Sequence, residues 1–264
     1  MENHQIGDLR ISGSGSAGGG RYNVVSISGS GKIVGDLNCE KFRISGSGKV
    51  EGSITANDFG ISGSGKVTRD LKCSRGTISG SGKVEGSVYG GCFTINGSGT
   101  VEGNFKGDEF TINGSGKVGG RISSTSVKLY GAVTVGHGIE GETIDIRGAL
   151  RTNSMVNGDE VIIEIGGRTE IEEIGATKVI VSKGIQGRGT VSRFIFKLFG
   201  GKDFEYLTTR TIEADEVYLE NTIADVVRGG KIVIGEGCKI KKIEYGESFE
   251  VKSETSSIEE TIKL

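Results

Sequence analysis

The chain has 264 residues with 48 glycines, no proline and no tryptophan, and a net charge of −2. Glycine at this level without imino acids or an every-third-residue period excludes collagen, and no stretch reaches the roughly 18 consecutive apolar residues of a membrane-spanning helix. Charge is uneven: residues 1–130 carry 15 Lys and Arg against 11 Asp and Glu, and the remainder 17 against 23, so the expected body is mildly bipolar.

Residues 1–10 read as a short N-terminal tail containing His4. They lack the basic region, apolar run and small-residue cleavage site of a secretory leader, and the expected location is cytoplasmic.

From Ile11 to residue 192 the chain repeats itself. ISGSGKI at Ile27 returns as ISGSGKV at Ile44, Ile61 and Ile78, as INGSGTV at Ile95 and as INGSGKV at Ile112, always seventeen residues on. A fixed short period means stacked units that touch only their neighbours. Numbered from the isoleucine, apolar residues or glycines occupy positions 1, 3, 5, 7, 9 and 11, and an aromatic or aliphatic residue position 16. Alternation of period 2 predicts extended strands with one buried face, where a helix would need spacings of three and four. The glycines at 3, 5 and 9 are read as inward corners that accept unusual dihedrals.

The expected fold is therefore all-β: a right-handed parallel β-helix of about seventeen residues per coil, roughly triangular, with about thirteen coils spanning ~60 Å at ~4.8 Å per coil. Right-handedness follows from the usual hand of parallel strand connections. A left-handed hexapeptide helix is disfavoured because the apolar gaps run six, four, five and two. Column 1 should run Ile27, Ile44, Ile61, Ile78, Ile95, Ile112, Leu129, Ile146, Ile163 and Ile180; column 16 should run Phe42, Phe59, Gly76, Phe93, Phe110, Val127, Ile144 and Val161.

Residues 193–211 break the register and read as an insertion whose apolar patch, Phe194, Ile195, Phe196, Leu198 and Phe199, is either core or a membrane or partner contact. The β-helix resumes over 212–252, with Val217, Ile234 and Val251 again seventeen apart, and 253–264 form a C-terminal tail, frayed or a short extra strand.

Glycine-punctuated coils of this length, together with the later text IEADEVYLENTIADVVRGGKIVIGEGCKI, resemble the bactofilins, specifically a long proline-free branch. The resemblance implies a bacterial cytoskeletal β-helix that polymerises end to end without nucleotide, often at the inner face of the membrane. Two departures stand out: familiar members have a shorter helix with proline-rich tails, and the apolar N-terminal anchor of several members is missing from MENHQIGDLRI.

Catalytic chemistry finds little support. His4 and His137 stand alone, and no nucleophile and base, paired carboxylates or metal spacing emerges. SGSGK lacks the G-x-x-x-x-G-K-[ST] of a phosphate loop and leads into a strand. The expectation is no enzyme, no cofactor, no metal, no nucleotide and no nucleic acid. Cys39, Cys73, Cys92 and Cys238 are read as reduced and space-filling, Cys39 and Cys73 standing two coils apart, beyond disulfide reach. Serine pairs at positions 2 and 4 imitate ice-binding arrays, but without threonine methyls and with lysines beside them.

The column Lys32, Lys49, Lys66, Lys83 and Lys117, with Glu51, Glu85 and Glu102 nearby, reads as a solvated face that discourages side-on aggregation; the alternative is an anionic partner, such as membrane headgroups. End coils expose unpaired backbone and cut apolar columns, so Ile11, Val25, Ile27, Ile234, Ile240, Phe249 and Val251 are the candidate polymerisation residues. The expected partner is the chain itself, with the membrane surface or envelope proteins beyond it. The alternative function is a rigid scaffold or binding module that does not polymerise.

Overall fold

The computed structural model describes residues 7–184 and 205–264. The chain divides into two compact units. The first holds the described residues up to Val127 together with Val133–His137; the second holds Lys128–Ala132 and the described residues from Gly138 to Leu264. No helix occurs among the described residues, and the strands pair in parallel through turns of about seventeen residues, about fourteen turns of β-solenoid against the thirteen expected.

The first unit opens with β1 (Leu9–Ile11), β2 (Gly15–Ile27) and β3 (Ser30–Ile44), followed by short and long strands in alternation: β4 (Ser47–Glu51), β5 (Ile54–Ile61), β6 (Ser64–Val67), β7 (Leu71–Ile78), β8 (Ser81–Val84), β9 (Val88–Ile95), β10 (Ser98–Val101) and β11 (Phe105–Val118). Each turn places its SGKV segment in one ladder and its eight-residue strand in another. β3 joins both, since Ser30–Val34 pairs with β4 and Leu37–Ile44 with β5. Registry is strict, with Lys49 on Lys66 on Lys83 and Ile44 on Ile61 on Ile78 on Ile95 on Ile112. Columns 1 and 16 thus stack as read from the sequence over this unit. Phe42, Phe59, Phe93 and Phe110 form the buried aromatic spine, and the Phe42 and Phe59 rings lie 5.4 Å apart, stacked and nearly parallel.

The glycines fill the expected role only in part. Gly114, Gly131 and Gly148 at position 3 and Gly35 at position 9 take positive φ, at 136°, 127°, 127° and 110°; the position-3 glycines from Gly29 to Gly97 and those at position 5 do not, and what they need is the missing β-carbon. A β-carbon on Gly63 would lie 2.2 Å from the carbonyl oxygen of Gly46 in the preceding turn, and one on Gly82 would lie 2.7 Å from Cγ2 of Ile78 in its own turn. Position 3 lets successive backbones approach, and position 5 makes room for the isoleucine that begins the repeat.

A second corner is tied by side chains at position 10. The Asp36 carboxylate accepts from the Ser53 backbone N–H at 2.7 Å, Asp70 from Ser87 at 2.8 Å, Ser87 Oγ from Asn104 at 3.1 Å and Asn104 Oδ1 from Arg121 at 2.8 Å. Backbone donors that leave the ladder at the bend are thereby satisfied.

β12 (Ile122–Val135) contributes residues to both units. The second unit continues with β13 (Ile139–Ile165), β14 (Thr169–Lys183), β15 (Leu207–Leu219), β16 (Thr222–Ile234), β17 (Lys239–Val251) and β18 (Ser257–Lys263). Here the period drifts, which corrects two expected columns. Ile163 pairs with Val181 rather than Ile180, because the register shift between Thr152 and Met155 leaves an eighteen-residue turn. Val217 pairs with Ile232, while Ile234 stands on Leu219: the β15-to-β16 turn has fifteen residues, and the seventeen-residue step returns between Ile234 and Val251. Leu207–Thr211, expected at the end of the insertion, belongs to β15.

Buried hydroxyls in this unit, Thr152 apart, turn to backbone carbonyls. Thr222 Oγ1 donates to Glu220 O at 2.9 Å and Thr209 Oγ1 to Glu172 O at 3.2 Å. The segment expected as a tail or a short extra strand is a strand: β18 pairs with β17 from Lys239 to Tyr245.

Candidate functional site

The residues proposed from sequence as end contacts separate into two groups. Val25 and Ile27 are fully buried because β1 lies over them, Leu9 on Val25 and Ile11 on Ile27. Ile234 and Ile240 are likewise buried, beneath Val251 and Ile258. Those four are corrected to interior positions. Ile11 and Phe249 are half-buried, and Val251 is 43% exposed.

β18 covers β17 only as far as Tyr245, so Ser248–Val251 has a partner strand on the β16 side and none on the other among the described residues. Where β18 begins, hydroxyls close the corner: Ser256 Oγ accepts from the Cys238 backbone N–H at 2.9 Å and donates to Gly235 O at 2.7 Å, and Thr255 Oγ1 accepts from the Gly237 N–H at 3.1 Å.

The lysine column is assembled as read, with Lys32, Lys49, Lys66 and Lys83 in successive register, and Lys117 beyond Thr100. Each glutamate bridges two of its lysines. Glu51 lies 2.8 Å from Lys32 and 2.6 Å from Lys49; Glu85 lies 2.7 Å from Lys66; Glu102 lies 2.8 Å from Lys83 and 3.4 Å from Lys117. Paired ammonium groups hold the Glu51 carboxyl down to about 2, and Glu85 and Glu102 are lowered by Lys66 and Lys83 in the same way. Five lysines against three glutamates leave a modest positive surplus, and each lysine has a carboxylate partner within the column.

His137 is exposed on a turn, and His4 and the Phe194–Phe199 patch lie outside the described residues. Among the described residues no three His, Cys, Asp or Glu side chains converge as a metal site would require, and no helix is long and apolar enough to cross a membrane. All four cysteines are free. Burial pushes the thiols of Cys39 up to about 11 and Cys73 to about 12, and raises that of Cys238. Cys92 departs from the space-filling reading: it is exposed, because its strand turns that position outward.

One surface escaped the sequence reading. In the second unit the outward positions Ile162, Ile180, Tyr218 and Val233 are cross-strand neighbours on β13, β14, β15 and β16, each half-buried between inward-facing core residues. Ile180, Tyr218 and Val233 border a shallow depression with Lys178, Glu216 and Lys231 on its rim. The equivalent row in the first unit reads Arg43, Gly60, Thr77, Thr94 and Thr111, so the signal is a change from polar to apolar at one outward position. It is hidden in the sequence by steps of eighteen, 38 and fifteen residues between its members.

No family model and no solved structure matches the chain. Among curated proteins it is similar to YhbF of Bacillus subtilis (strain 168), a protein described as uncharacterized, with 38% identity over 96 residues, 36% of this chain and 35% of that protein. It is also similar to YhbE of the same organism, likewise described as uncharacterized, with 40% identity over 58 residues, 22% of this chain and 24% of that protein. The chain thus spans about a third of the length of the first and about a quarter of the second.

Proposed function

We propose that this chain is a structural, bactofilin-like protein that assembles end to end into filaments without nucleotide and holds envelope-associated partners along its length. The observation that carries this reading is the edge at Ser248–Val251, which no described strand covers on the side away from β16, and where main-chain donors and acceptors and the exposed Val251 side chain form a template for another strand. Strict stacking in the first unit adds support, because a further turn of the same geometry continues columns already present. In this reading the protein works in the cytoplasm, at the inner face of the membrane where envelope partners require it, and uses no cofactor.

A second reading, a rigid scaffold that stays a single particle, is favoured by the hydroxyl-closed corner at Ser253–Ser256, a polar feature of the kind that terminates solenoids. Sedimentation velocity over a range of concentrations separates the two. Filament formation predicts species that lengthen steadily with concentration and a Val251→Lys variant that stops at a small discrete species. A wild-type chain of one size throughout favours the scaffold.

A further inference from the structure

The apolar row Ile162, Ile180, Tyr218 and Val233 lies on an outward sheet face of the second unit. Two residues earlier on the same four strands, and so about 7 Å away on the same face, runs a second row whose sign alternates: Glu160, Lys178, Glu216, Lys231. Within one chain these charges pair as neighbours, Lys178 with Glu160 at 3.1 Å and Lys231 with Glu216 at 3.4 Å.

An alternating row of four is complementary to its own reversal. If a second copy is laid face to face by a two-fold axis running along the strands, the order of strands inverts while the apolar row stays on the apolar row. Glu160 then meets Lys231 of the other copy, and Lys178 meets Glu216, so all four contacts join opposite charges. Ile180 faces Tyr218, and Ile162 faces Val233. On the far side of the apolar row, Ser182 follows Val181 and Glu220 follows Leu219, two residues already in register, and the same operation sets hydroxyl against carboxylate. A two-fold axis along the stacking direction does the opposite. It places Glu160 on Glu164 and Glu216 on Glu220, joining like charges.

We infer that this face is a lateral docking site for a second copy of the chain, in antiparallel orientation, with the four apolar side chains as its centre and the alternating row as its orienting element. The inference does not rest on end-to-end assembly, and the two are separable: Val251→Lys removes the end template without touching this face.

The test uses the full chain carrying Val251→Lys and Cys92→Ser, so that end joints and the exposed native thiol are absent. Ile162→Cys and Val233→Cys are introduced into separate preparations, mixed and treated with a short bismaleimide. The expected product is a mixed pair linked 162 to 233, with little product from either preparation alone. A charge cycle checks orientation: Glu216→Lys should weaken pairing by about tenfold or more, and Lys178→Glu together with Glu216→Lys should restore it. Ile180→Ser with Tyr218→Ser should abolish pairing while the circular dichroism spectrum of the solenoid is retained. Linkage of 162 to 162, or a charge swap that fails to rescue, would overturn the antiparallel assignment. A strictly monomeric chain, or pairing that appears only after residues 185–204 are deleted, would overturn the second copy as occupant.

Discussion

The ring of Phe93 fills the space that a side chain at position 76 would need: a β-carbon on Gly76 would lie 2.2 Å from Cδ2 of Phe93. Gly76 interrupts the aromatic column between Phe59 and Phe93. Two turns should separate those residues by about 9.6 Å, yet their rings lie 6.4 Å apart because Phe93 leans back over the glycine. Gly76→Ala should therefore destabilise the first unit by about 1–3 kcal/mol through overpacking. Urea unfolding checks this, and adding Phe93→Ala should give a sub-additive loss, since the smaller residue removes the clash.

Thr152 makes the opposite prediction. Its side chain is 2% exposed, and its hydroxyl is buried without a hydrogen-bond partner among the described residues, close to the register shift in β13. Valine keeps the shape and removes the unmatched polar atom, so Thr152→Val should raise stability by roughly 1 kcal/mol. Thr222→Val should do the reverse, because that hydroxyl is bonded to Glu220 O.

Acid should loosen the charge ladder in a definite window. Glu51 is held down to about 2 by its hydrogen bonds to Lys32 and Lys49, from an ordinary 4.5. A carboxyl depressed on folding adds stability that is present in full above its unfolded value and is lost as pH falls through the folded one. The urea midpoint of the wild type should fall between about pH 4.5 and 2, and Glu51→Gln should flatten part of that slope. High salt should shrink the difference between the two proteins, because these side chains are exposed enough to be screened.

Thiol reactivity should divide one against three. Cys92 is exposed and should react with a chromogenic disulfide on mixing. Cys39, Cys73 and Cys238 are buried with raised thiol pKa values and should react only as the solenoid opens. Fast titration of more than one thiol in the native protein would contradict the burial.

Legibility followed the repeat. Where the text recurs literally, from Ile27 to Ile112, the period alone determined strand, face and register, because each residue meets its own counterpart one turn away. Cross-strand chemistry that depends on a neighbouring turn was partly visible, as with Lys32, Lys49 and Glu51. The position-10 corner was not seen, since Asp36, Asp70, Ser87 and Asn104 share an oxygen acceptor but not one residue type. Past Thr152 the steps between paired strands are fifteen to eighteen residues, with one of 38 from β14 to β15, and a ruler of seventeen set Ile234 over Val217 when it sits on Leu219. The buried state of Val25 and Ile27 was missed for a related reason: Leu9–Ile11 lacks the repeat text and still supplies a covering strand.

The central claim is that the edge at Ser248–Val251 joins to another molecule of the same chain. Negative-stain electron microscopy of the purified protein, without nucleotide and across salt and concentration, tests it most directly. The account predicts unbranched filaments for the wild type and their loss in Val251→Lys; short rods of uniform length under every condition would contradict it.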